Sequence, residues 1–70
     1  MTDKEKMLRD AAQNARIADA CRRSAERMFR DGNTTGATEQ IARAQALEKQ
    51  AQELRLQALA PGDPNANPHP

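Results

Sequence analysis

Aromatic character is almost missing from this chain: Phe29 is its one aromatic residue, and it has no tryptophan or tyrosine. Recognition of bases by stacking on a row of rings is therefore excluded. Cysteine is equally scarce. Cys21 stands alone and His69 is the only histidine, so there is no intrachain disulfide and no four-ligand set for structural zinc. A lone thiol fits a reducing compartment. Proline is absent until the end, where all four prolines fall within "PGDPNANPHP". No apolar run approaches the ~20 residues of a membrane span. No signal-peptide core stands near the start, and the expected location is cytoplasmic. Charge of one sign is lacking too. Eleven Lys and Arg against ten Asp and Glu leave a net charge of +1, so a nucleic-acid reading depends on where charges sit, not on their sum.

What remains is helix. Seventy residues bound one small domain. Thr2 followed by Glu5 reads as a capping box, and Asp3 and Glu5 put negative charge at the positive end of a helix dipole. Arg27 and Arg30 complement the other end. Gly32 then stands where a left-handed residue closes a helix. The first helix is predicted over about 3–31, a turn over 32–35, and a second helix over about 36–60, which Pro61 and Gly62 stop. Asn33, Thr34 and Thr35 are alternative caps for the second helix. Residues 1–60 make the helical hairpin, and 61–70 read as a flexible proline-rich tail.

Within the helices the smallest apolar residue repeats at one phase. Alanine stands at 11, 18 and 25, and again at 37, 44, 51 and 58. Seven residues make nearly two turns, so each set falls on one line. Met7, Asn14, Cys21 and Met28 flank the first line on one side, and Leu8, Ala15, Arg22 and Phe29 on the other. With Ile17 this is an apolar arc roughly 180° wide, wider than a two-helix seam needs. Leu47 and Leu54 flank the second line beside Gln40. Ile41 flanks its other side, with Glu48 and Arg55 in its row. Small residues at heptad spacing let two helix backbones approach closely, and a short turn makes the pair antiparallel. The expected fold is all-α: an antiparallel helical hairpin with an alanine-lined seam. Two such hairpins pairing into a homodimeric four-helix bundle would cover the wide arc. The candidate dimer or partner interface is Met7, Leu8, Asn14, Cys21, Met28, Phe29, Ile41, Leu47 and Leu54.

The other face of the first helix is basic. Arg9, Arg16, Arg23, Arg27 and Arg30 fall within roughly 40° of one line, about opposite the alanines. As an outward stripe they are the candidate nucleic-acid contacts, since arginine suits phosphate. Against this, Glu5–Arg9, Asp19–Arg23 and Glu26–Arg30 are i,i+4 pairs in the favourable order, and a self-paired solvated face explains the same residues. Asn14 and Arg22 intrude on the apolar arc. Asn14 can set register, and Arg22 can lay its stem over the core with its head in water. Cys21 reads as a small buried hydrophobe before it reads as a redox switch. "NTT" at 33–35 fits a glycosylation pattern, but the turn reading takes precedence.

No catalytic constellation, glycine-rich phosphate loop or metal cluster is present. The expectation is a non-enzyme with no cofactor, no membrane and no small-molecule substrate. Its expected role is a protein–protein interaction or adaptor module acting as a homodimer, its partner a second copy or another protein. The alternative is a regulatory helical dimer that binds RNA or DNA through the arginine stripe. In length, two-helix plan and opening residues "MTDKEK" the chain resembles the Rop family of plasmid copy-number regulators. That resemblance implies a four-helix dimer that binds paired RNA loops. The chain departs from it in lacking a mid-helix aromatic, Phe29 lying near the turn, and no site residue is carried across. The helix pair followed by "ALAPGDPNA" also resembles the end of a tetratricopeptide repeat. A single repeat of that kind cannot bury its own face, and this reading ranks last.

Overall fold

A chain with Ala, Leu, Gln, Glu, Arg and Lys at most positions up to residue 60 favours helix throughout. The computed structural model describes residues 2–59 and contains two helices, α1 (Asp3–Arg30) and α2 (Thr34–Leu59). They pack along their length as a helical hairpin. The proline-rich segment 61–70, with His69, lies outside the described residues, as do Met1 and Ala60.

The start of α1 is the predicted capping box. Glu5 N–H donates to Thr2 Oγ1 at 3.1 Å, and Thr2 N–H donates to Glu5 Oε1 at 3.0 Å. Thr2 Oγ1 also donates to that carboxylate oxygen at 2.9 Å. Glu5 is thereby held by Thr2, and the expected Glu5–Arg9 ion pair does not form. Two further predicted pairs do, Asp19 with Arg23 and Glu26 with Arg30.

The turn is shorter than predicted, because one residue serves both helices. Gly32 adopts φ +85°, the left-handed conformation that glycine takes without a Cβ clash. Its N–H donates to Phe29 O at 3.1 Å, and Asn33 N–H donates to Met28 O at 2.7 Å. These two bonds are the paired closure of a Schellman motif. Asn33 then begins the next helix: its Oδ1 accepts from Gly36 N–H at 2.9 Å. Of the three alternative caps, Asn33 is the one used, and α2 starts at Thr34 rather than near 36. Gly36 leaves the space over which the Asn33 amide folds; a Cβ there would stand 2.5 Å from Asn33 Nδ2.

The seam is made of alanine. Ala11, Ala18, Ala25, Ala37, Ala44, Ala51 and Ala58 are each 0–8 % exposed, and Cys21 is the one other buried residue among those described. Ala18 packs with Ala44 and Cys21, with Leu47 lying against them. No large side chain is fully buried among the described residues. The molecule is a single layer, 11 Å along its thinnest axis, so both broad faces of the hairpin are open. Domains ordinarily need a second layer to cover such faces.

Candidate functional site

The two rows beside the alanine line emerge on opposite broad faces. On one face Arg22 of α1 reaches Glu48 of α2 with a two-pronged ion pair. Arg22 Nε donates to Glu48 Oε2 at 2.8 Å, and Nη2 donates to Oε1 at 2.6 Å. The head of Arg22 is therefore paired across the seam while the side chain keeps its expected access to water, 42 % exposed. The reason is positional: Arg22 and Glu48 both sit in the rows flanking the alanines, on the same side of the layer. Fork-to-carboxylate geometry of this kind is directional. The hydrogen bonds from Arg22 hold the Glu48 carboxyl below its ordinary value, and the same bonds hold the Arg22 proton more tightly. At the cap, the Thr2 backbone N–H and then its hydroxyl lower Glu5 in the same way.

Toward the turn on this face, Ala25, Phe29 and Ile41 line a shallow apolar recess, with Arg22 and Glu26 at its rim. Phe29 is 48 % exposed. Toward the open end lie Leu8, half-buried, and Leu59, 62 % exposed. Leu59 falls 18 residues after Ile41, five full turns, and so shares its face. That phase is the signal for Leu59, which the rows flanking the alanines leave out of the candidate interface. Leu56, 63 % exposed, stands at the edge of the same side.

The opposite face differs. Cys21 and Leu47 are drawn into the core beside Ala18 and Ala44. Asn14 and Leu54 line a groove whose other walls are Asp10, Gln13, Gln50, Glu53 and Gln57. That groove is acidic and amide-rich, with a single large apolar side chain. Met7 and Met28 are half-buried. Of the nine candidate interface residues, Cys21 is thus inside the hairpin's own seam. Leu8, Phe29 and Ile41 share one face, and Asn14, Leu47 and Leu54 belong to the other.

The arginine stripe is where its periodicity placed it. Arg9, Arg16, Arg23, Arg27 and Arg30 are all exposed. Arg23 is paired with Asp19, and Arg30 with Glu26 at 3.8 Å. Arg9, Arg16 and Arg27 have no ion pair among the described residues. Arg9 and Arg16 border one shallow recess with Ala12, Gln13 and Ile17.

Among the described residues no group of three or more His, Cys, Asp or Glu is arranged to hold a metal ion. No helix among them is long and apolar enough to cross a membrane. Fold and faces together define an alanine-seamed helical hairpin with both broad sides uncovered. Compared with protein-family models, curated proteins and solved structures, the chain matches none.

Proposed function

We propose that this chain is a non-enzymatic protein–protein interaction or adaptor module of the cytoplasm that acts as a homodimer. The observation that supports it is the split between what is buried and what is large. The seam buries alanines and Cys21, while Ile17, Phe29, Leu56 and Leu59 stay 41–63 % exposed. At about 25 cal/mol per Å² of apolar area, alanine contributes little on burial, and small scaffolds commonly draw their missing stability from a second subunit. Sedimentation equilibrium of the full chain under reducing conditions, with helicity followed by circular dichroism, tests this. A helical dimer that persists to low micromolar concentration is expected. A monomer at every concentration overturns the homodimer.

The second reading is a dimer that binds RNA or DNA through the arginine stripe, favoured by the three unpaired arginines on one side of α1. Replacing Arg9 and Arg16 with alanine should then weaken binding and flatten its salt dependence. On duplex DNA the log–log slope should fall by roughly 0.9 for each phosphate that is no longer neutralised. Unchanged affinity for RNA and DNA would remove this reading.

A further inference from the structure

Resting on the homodimer reading, we propose that two copies meet through the face that carries Phe29, Ile41, Leu8 and Leu59, and that they lie antiparallel, turn end over open end. The two ends of this face are complementary to each other and cannot meet within one chain. At the turn end is a recess, lined by Ala25, Phe29 and Ile41. At the open end are the half-buried Leu8 and the protruding Leu59. Phe29 and Leu8 are 21 residues apart on α1, about 32 Å along the axis. A second copy running the opposite way brings leucines to recess twice over, once at each end. That is the self-complementary pattern of a two-fold interface, in which residue i meets j and j meets i.

Charge on the face agrees with this direction. The Arg22–Glu48 pair neutralises the middle. The turn end carries Glu26, with its long 3.8 Å ion pair to Arg30 at the edge of the face. The open end carries Lys4, which shares the phase of Arg22 five turns before it, and Arg55, in the row of Ile41 and Glu48. With the hairpins laid end over end, Glu26 comes level with Arg55 of the second copy, and Phe29 with Leu59. A parallel pair would stack recess on recess and like charges on like. The opposite broad face offers a groove bordered by Asp10, Asn14, Gln50 and Glu53, which would place acidic and amide groups in a self-contact. The extent is sufficient as well. A face about 42 Å long and about 20 Å wide covers about 800 Å² per copy, the size of a standard specific interface.

Equilibrium sedimentation of three chains tests the face, with circular dichroism checking that each stays helical. Phe29→Glu should raise the dimer dissociation constant at least tenfold, whereas Ile17→Glu, on the side of α1 turned away from Phe29, should change it less than threefold. If the parent chain dimerises and Ile17→Glu dissociates it while Phe29→Glu does not, the face is wrong and the homodimer stands. If the parent chain is monomeric, the homodimer itself fails. Direction is tested without touching the apolar contacts. Glu26→Cys and Arg55→Cys chains, each also carrying Cys21→Ser, are mixed in a glutathione redox buffer. Antiparallel packing gives the mixed disulfide between the two variants as the main product. Predominance of the symmetric disulfide of either variant overturns the antiparallel arrangement.

Discussion

Alanines on the seam of this hairpin and alanines on its outer surface have opposite fates, although they stand in the same two helices. Those at 11, 18, 25, 37, 44, 51 and 58 are buried, while Ala12, Ala20, Ala42 and Ala46 are exposed. Composition does not distinguish the two groups; helical phase does. On the seam, a methyl group is what allows the backbones of α1 and α2 to approach. On the outer surface, a methyl group only favours helix. A residue's contribution here follows from its place in the period, and interiors packed this closely respond to added volume.

The comparison is broken most severely by enlarging a seam position. Ala44→Leu inserts three carbons between the backbones at a site with 0 % exposure, and should lower stability by about 1–3 kcal/mol. Ala46→Leu, two residues away and exposed, should change it by less than about 0.5 kcal/mol. Urea unfolding of the two variants decides the matter, and equal effects would mean that the seam is not close-packed. Next in size is the turn that sets the two lines in register. Gly32→Ala introduces a side chain at φ +85° with nothing within 4 Å of its Cβ, so its effect is purely conformational and should be about 1 kcal/mol in the same experiment.

The smallest expected effect concerns the flank rather than the seam, and it appears as pH dependence. Glu48 and Glu5 titrate below their ordinary value of 4.5 in the folded chain. The unfolded chain therefore binds their protons more readily than the folded one. The stability they contribute is complete above that ordinary value and is lost as pH falls through the lowered folded values. The melting temperature should stay level from about pH 8 to about pH 6 and decline below about pH 4.5. Glu48→Gln should melt lower at neutral pH and show a shallower acid decline. An acid decline as steep as that of the parent chain would remove Glu48 from the account.

The helices and their seam were legible because each rests on local or periodic signals. Thr2 with Glu5 marks a start, Gly32 marks an end, and alanine every seventh residue marks a line that neither propensity nor composition requires. The turn was less legible. Asn33 closes α1 and caps α2 at once, and a double role of that kind shows only when both helices are in place. The flanks were legible as rows but not as faces. Arg22 and Glu48 were each placed beside the alanines, yet their pairing depends on which row of α1 stands over which row of α2. Cys21 reads as a small buried hydrophobe and is one, 8 % exposed; what the structure corrects is its place in the candidate interface, since it packs in the hairpin's own seam. The arginine stripe was read correctly as outward, because the side opposite a seam has nowhere else to point.

By itself the sequence determined two helices, a left-handed glycine between them, and a line of small residues along each, because period, caps and turn chemistry act over a few residues. Only the tertiary structure decided how the flanks are divided. The antiparallel register set Arg22 against Glu48, drew Cys21 and Leu47 toward the core, and left Phe29, Ile41, Leu8 and Leu59 on one open face. Which side chains then meet depends on the axial register of the two backbones and on how deep each flank sinks, and no spacing within either helix specifies those.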